Sequence, residues 1–325
     1  MDEPTHACPQ VPATAAAAPA DWPAGKVGFV ALVGRPNVGK STFLNTALDY
    51  RLAAVSPKPQ TTRRRWLGIR SDADSQMLFL DTPGVHAPSH ALGEAMVEGA
   101  RTALRDADVV IGLADPTRRP GAEDRLVAEL LAACRRPLLL ALNKTDIATP
   151  EDMARTEAFF REYLPDVPCF RIAAIHKSTL DPLLERVKDL LPGGPFLFPP
   201  DAVTDAMERQ IGAELIREAV LEHLQHEVPH ATAVTIEAWE ELPKKRRIAA
   251  VLHVERESQK AIVIGRDGSM LSQIRRSAVP KLVELCGIRI ELRLRVKVSE
   301  DWRRHRGQAR EFVGIEVGGR ARDRR

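Results

Sequence analysis

The chain has 325 residues, 44% hydrophobic and 28% charged, with a formal net charge of +3, an ordinary soluble composition and length enough for two domains that each bury a core. The small net charge hides a split: residues 201–243 carry 2 basic and 10 acidic side chains, residues 244–325 carry 22 and 10, so the C-terminal part calls for a polyanionic partner. Four scattered cysteines without a C-x-x-C pair argue for a reduced, cytoplasmic compartment and against structural zinc, and no apolar run reaches the length of a membrane span.

Residues 1–25, rich in Ala and Pro, read as a disordered leader; Asp2 and Glu3 stand where a signal peptide is positive, and the lack of arginine argues against a mitochondrial transit peptide. Periodicity then predicts strands over 27–33, 66–71, 77–80, 109–114, 138–142 and 169–173, alternating with helices over 40–48, 94–107, 122–133, 151–163 and 180–190. That alternation implies a doubly wound, mostly parallel sheet whose ligands sit at the C-terminal strand ends. Pro192-Gly193-Gly194-Pro195 and Pro199-Pro200 break the pattern. Beyond them follow a helix over 206–225, strands over 231–240, 248–257 and 288–298, short helices over 268–274 and 278–286, and the basic run Lys244-Lys245-Arg246-Arg247 in a turn. The expected division is a leader 1–25, a first α/β domain 26–192, a linker 193–205, a second small α/β domain 206–313 and a flexible basic tail 314–325.

Gly34-Arg35-Pro36-Asn37-Val38-Gly39-Lys40-Ser41, followed by Thr42, fits G-x-x-x-x-G-K-[ST] directly after the first strand. The glycines leave backbone N–H groups for phosphate oxygens, Lys40 brings positive charge to the β/γ-phosphates, Ser41 offers a magnesium ligand and a helix N-terminus adds its dipole. Asp81-Thr82-Pro83-Gly84 follows the third strand: Asp81 would hold magnesium through water and the Gly84 N–H would meet a γ-phosphate, the bland alternative being a simple turn. Asn143-Lys144-Thr145-Asp146 follows the fifth; the Asp146 carboxylate would accept guanine N1–H and N2–H₂, which adenine lacks, unless it merely caps a helix. In Gln60-Thr61-Thr62-Arg63, Thr62, with Thr61 as competitor, would complete the magnesium shell when the γ-phosphate is present, while Arg63-Arg64-Arg65 reads as a solvated basic face or a phosphate or RNA contact.

Downstream, Ile264-Gly265-Arg266-Asp267-Gly268-Ser269 places a G-x-x-G turn between an apolar segment and a helix. In a KH domain such a turn sets backbone N–H groups against about four single-stranded nucleotides; in isolation it is an ordinary helix entry. Lys260 and Arg275 flank it, and residues 248–254 would floor the groove under the bases. Arg293, Arg295, Lys297 and Trp302-Arg303-Arg304 add a second basic set suited to an RNA backbone or an anionic membrane surface.

In this order the motifs resemble the translation-factor-like GTPases, and specifically the Era family, from about residue 26 to 313; Lys58-Pro59-Gln60-Thr61-Thr62-Arg63 and Gly194-Pro195-Phe196-Leu197 belong to the resemblance. It implies a P-loop GTPase domain followed by a type II KH domain, GTP and GDP with magnesium as ligands, 16S rRNA near its 3′ end as partner rather than DNA, and a part in 30S subunit assembly. It implies Lys40, Thr62, Gly84 and Asn37 in catalysis, Asn37 by holding a potassium ion beside the phosphates. Val85 stands where Ras-like enzymes carry the water-orienting glutamine, so hydrolysis is organised otherwise; His86 is a water-orienting candidate or an exposed loop histidine. Two departures follow. The family's Ser-Ala guanine loop is Ala173-Ala174 here, keeping an N–H for guanine O6 but losing a hydroxyl that would brace the loop, and Asp267 offsets charge in the G-x-x-G turn. The rival readings are an ATP-using P-loop enzyme, a module that occupies GTP without turnover, and a GTPase peripheral to the cytoplasmic membrane face.

Overall fold

A computed structural model describes residues 22–56, 58, 66–82, 84–85, 101–305, 307–308 and 312. Its first sheet contains β1 (Ala24–Val33), β2 (Trp66–Ser71), β3 (Ser75–Asp81), β4 (Val109–Ala114), β5 (Leu138–Leu142), β6 (Cys169–Arg171) and β7 (Gly193–Pro195). The order is β2-β3-β1-β4-β5-β6; all these neighbours run parallel except β2 against β3, and β7 pairs antiparallel with the start of β1. Residues 193–195, read as linker, thus extend the sheet. Helices α1 (Lys40–Leu48), α2 (Ala122–Ala132), α3 (Pro150–Arg161) and α4 (Asp181–Leu190) flank it, and residues 101–106 are helical as well.

Alternate side chains of each strand feed opposite cores, as the twofold period of a strand requires. Val30, Leu32, Phe79 and Ile111 pack with α1 and α4, while Ala31, Val33, Leu80 and Val110 pack on the other side with α2 and α3. Every residue of β3 and β4 is buried, which is what a strand covered on both faces needs. The C-terminal ends of β1 and β3 lie side by side, with Leu32 opposite Asp81.

The second sheet is β10-β9-β8, formed by β8 (Ala233–Leu242), β9 (Lys245–Val254) and β10 (Ile290–Val298), with β8 and β9 antiparallel and β9 and β10 parallel. With α5 (Glu208–His223), α6 (Glu257–Ile264) and α7 (Ser269–Cys286), the order α-β-β-α-α-β is the type II KH arrangement.

Three sequence expectations change here. The strand read to residue 257 stops at Val254, and the Glu255 N–H donates to Gln259 Oε1 at 2.8 Å as the chain turns into α6. The two short helices are one, α7, in which Ile274, Ala278 and Leu282 form a buried stripe that outweighs the helix-breaking tendency of Pro280. The basic run lies mostly in β9, where Arg246 and Arg247 face Glu241 and Glu240 across the hairpin.

The two units share one apolar cluster, which runs from Phe43 and Leu52 to Ile216 and Val220. The Thr204 hydroxyl donates to Leu67 O and the Ile69 N–H to Val203 O, both at 2.7 Å. Arg51 pairs with the buried Glu218 of α5 at 2.6 Å. Among the described residues no helix is long and apolar enough to cross a membrane.

Candidate functional site

Between β1 and α1 the chain makes the tight turn expected of a phosphate loop. Gly39 sits at φ 102°, and a Cβ there would lie 2.2 Å from Asn143 Nδ2, so both backbone and space demand glycine. Arg35, Pro36, Asn37, Lys40, Ser41, Thr42, Gly84, Asp115 and Lys144 help to line a cleft of about 420 Å³. Lys40 Nζ donates to the carbonyls of Gly34 and Arg35 at 3.0 and 2.9 Å. Burial pulls its pKa down to about 8, with the charge of Asp81 opposing the shift. A buried cation hydrogen-bonded to two backbone carbonyls is poised for a polyanion.

The Ser41 hydroxyl donates to Asp81 Oδ2 at 2.9 Å, so the two oxygen donors assigned to magnesium from different motifs meet. Such hard oxygens, one from a fully buried carboxylate, fit magnesium's preference, with phosphate and water completing the shell. Thr82 Oγ1 donates to Leu32 O at 2.7 Å, and the Val85 N–H donates to Gly34 O at 3.0 Å. Val85 is buried, so its side chain packs instead of facing a water. Thr61, Thr62, Arg63, Arg64, Arg65, Pro83 and His86 lie outside the described residues.

At the base end, Asn143 joins three segments. Its Nδ2 donates to Val38 O and its Oδ1 accepts the Ala174 N–H, both at 2.8 Å; the Thr145 N–H donates to Ile172 O at 3.1 Å. The Ala174 N–H expected at guanine O6 is therefore taken by Asn143 here. Asp146, two residues beyond the cleft-lining Lys144, is exposed.

Motif reading missed Asp115 and Asp124. Lys144 Nζ meets Asp115 Oδ2 at 2.7 Å, Arg35 pairs with the same oxygen at 3.2 Å, and Asp115 Oδ1 accepts the Thr117 N–H and hydroxyl at 3.0 and 2.6 Å. Burial pushes the Asp115 carboxyl up, but the hydrogen bonds from Lys144 and Thr117 and the charges of Lys144 and Arg35 outweigh it and hold the pKa below the usual range. Arg35 Nε also donates to Asp124 Oδ1 at 3.1 Å. A carboxylate at the C-terminal end of β4 thereby ties the phosphate loop to the guanine motif; the signal in the sequence is an aspartate closing an apolar strand.

In the second unit, Gly265 (φ 73°) ends α6 and Gly268 (φ 74°) starts α7, conformations that glycine adopts without strain. Arg266, Asp267, Ser269 and Arg275 are exposed, Ile264 is half-buried, and half-buried Lys260 pairs with Glu257. The groove floor expected from residues 248–254 is corrected: β9 is the central strand, and Ile248, Ala250, Leu252 and Val254 are core side chains with at most 1% exposure. Ile262, 50% exposed one turn before Gly265, is an apolar surface that pattern reading passed over.

A phosphate loop and a guanine motif on a doubly wound sheet, joined to a KH fold, define a P-loop GTPase fused to a nucleic-acid-binding unit. Comparison with known proteins narrows the class. The family described as "50S ribosome-binding GTPase" matches residues 29–144, and the family "KH domain" matches residues 227–303. The curated GTPase Era of Synechocystis sp. is 41% identical over 307 residues, 94% of this chain and 97% of that protein; that of Crocosphaera subtropica is 40% identical over 289 residues, 88% and 92%. A solved structure of Era with MgGDPNP and nucleotides 1506–1542 of 16S ribosomal RNA superposes with TM-score 0.84 at 35% identity, covering 89% of this chain and 98% of the other. A point variant of Aquifex aeolicus Era bound to GDP·AlF4− gives TM-score 0.84 and 35% identity over 88% and 98%. The chain belongs to the Era family of GTPases.

Proposed function

We propose that this chain is a GTP-hydrolysing switch that binds single-stranded 16S rRNA near its 3′ end through α6, the G-x-x-G turn and α7, and acts in 30S subunit assembly in the cytoplasm. The single observation that carries the RNA half is the turn itself: two positive-φ glycines between helices leave Arg266 and the start of an 18-residue helix open beside exposed Ile262, a phosphate cradle next to an apolar surface for bases. The relative solved with a 16S rRNA fragment supports the choice of RNA.

In the GTPase half, Lys40 exchanges its two carbonyl partners for β/γ-phosphate oxygens, Asn143 keeps the phosphate loop and base loop in register, and Asp146 selects guanine. Ser41 and Asp81 hold magnesium, which when bound neutralises charge on the β- and γ-oxygens. Asn37 (φ 62°) stands at the phosphates, where a potassium ion would supply further positive charge. Lys58 links nucleotide state to RNA. It belongs to the segment containing Thr62, and its Nζ donates to the carbonyls of Leu221 and Leu224 at the end of α5, so rearrangement around a γ-phosphate pulls on the KH unit.

RNA crosslinking of the full chain with GTP, GDP and no nucleotide tests both halves. The expected result is crosslinks at the G-x-x-G turn that strengthen with GTP; nucleotide-independent crosslinks would remove the coupling, and crosslinks confined to other surfaces would remove the KH assignment. Peripheral binding to an anionic membrane competes for the same basic surface, and liposome against RNA competition at stepped salt separates the two.

A further inference from the structure

Thr179 belongs to none of the nucleotide motifs, yet it closes the loop that carries Ala173 and Ala174. Its hydroxyl oxygen accepts the Ala173 N–H at 3.0 Å and lies 2.9 Å from Ala173 O and 2.8 Å from His176 O, either of which can take the hydroxyl proton. The next N–H, that of Ala174, goes to Asn143 Oδ1. Two consecutive amides at the root of this loop are therefore set by side chains, one of them from the guanine motif. The root is buried, with Ala173 and Ala174 at 2 and 3% exposure, whereas Ile175 at the tip is 61% exposed. Buried amides need acceptors, so the hydroxyl decides where this backbone rests.

Helix capping does not explain the contact. Thr179 precedes α4, but the N-cap of α4 is Leu180 with no side-chain cap, and Pro182 in its first turn has no N–H to offer. The hydroxyl turns six residues back along the chain instead.

We propose that Thr179 is a positioning residue for guanine recognition, holding the Ala173–Ala174 backbone in the base pocket from the far end of the loop. It supplies the brace that a serine at position 173 would otherwise provide, and so accounts for an alanine there. The inference rests on the guanine reading above.

The experiment compares the full-length chain with its Thr179→Val, Thr179→Ser and Thr179→Val/Ala173→Ser variants, measuring GDP and ADP affinity well below the thermal midpoint, and the midpoint without nucleotide. Thr179→Val should weaken GDP about tenfold, equivalent to about 1.4 kcal/mol, mainly through faster release; Thr179→Ser should stay near the parent and the double variant should recover part of the loss. GDP affinity unchanged in Thr179→Val, with only the midpoint lowered, would reduce Thr179 to a stabilising contact and overturn the inference. Amide exchange in the parent chain provides a second reading if valine disturbs the fold: slow exchange at Ala173 supports the brace, and exchange at the rate of the exposed tip overturns it. A parent chain that binds ADP as well as GDP overturns the guanine reading and this inference together, whereas a GDP-selective parent beside an unaffected valine variant overturns the inference alone.

Discussion

The ion pairs beneath the nucleotide cleft and those across the outer face of the second sheet use the same residue types for different ends. Arg35, Asp115 and Asp124 are 2, 3 and 8% exposed; Asp115 meets Lys144, Arg35 and Thr117, and Asp124 accepts from Arg35 and the Gly121 N–H. Arg295 and Glu237, by contrast, have side chains 61 and 43% exposed. A buried charge that loses its partner retains its desolvation cost, whereas an exposed one returns to water. The cleft network therefore fixes geometry, while the sheet-face pairs mainly set a charge pattern.

The largest break in this comparison is expected at Lys40. Lys40→Met should weaken GDP binding by about 2–5 kcal/mol, as for a buried charge-assisted contact, measurable by calorimetry. The same lysine makes binding pH-dependent. Its pKa of about 8 in the free protein must rise beside phosphates, so GDP binding takes up a proton above that pH and affinity falls as pH rises, up to tenfold per unit; a binding enthalpy at about pH 9 that is the same in buffers of different ionisation enthalpy would refute this.

Asp115→Asn comes next, with an expected loss of about 3 kcal/mol in urea unfolding accompanied by weaker GDP binding as Lys144 and Arg35 lose their shared anion. A variant as stable as the parent would put the buried network on the same footing as the surface pairs.

His253 extends the buried class into the second unit. It lies between Thr235 Oγ1 and Ser299 Oγ at 2.8 and 3.1 Å and stacks on Phe312. Burial, with the charges of Lys297 and Arg295, lowers its pKa to about 4 against the opposing pull of Glu237. The unfolded chain thus protonates first as pH falls below about 6.5, so the contribution of neutral His253 is whole above that pH and is lost between about 6.5 and 4, at most about 3 kcal/mol. His253→Asn should flatten that part of the stability profile.

The smallest effect belongs to the surface. Arg295→Ala should change stability by no more than about 0.5 kcal/mol, and a double-mutant cycle with Glu237→Gln should show coupling of the same size.

The readable parts of the site share one property: each motif is a short contiguous run. Phosphate and guanine recognition draw on adjacent backbone N–H groups, a lysine and a carboxylate placed where a strand ends, and so Gly34 to Ser41, Asp81 to Gly84 and Asn143 to Asp146 stood out before any coordinates did. The strands that carry them were equally legible, because burial on both faces leaves an unbroken apolar run. Helix α6 was harder: Ala261 to Ile264 is as apolar as a strand, and only packing against α7 and the second sheet distinguishes the two.

By itself, then, the sequence determined the nucleotide class, the KH turn and the alternation of strands and helices in the first domain, because those follow from local spacing and from the period of burial. The tertiary structure alone decided that Asp115 joins Arg35 to Lys144, that Thr179 reaches back to Ala173, that 248–254 is core instead of an RNA floor, and that Lys58 meets the end of α5. For 248–254 the energy comes from apolar burial and in the other cases from polar groups brought together by the fold, and either the partners lie far apart in the chain or, as with Thr179, a nearby residue's direction depends on how the loop is packed.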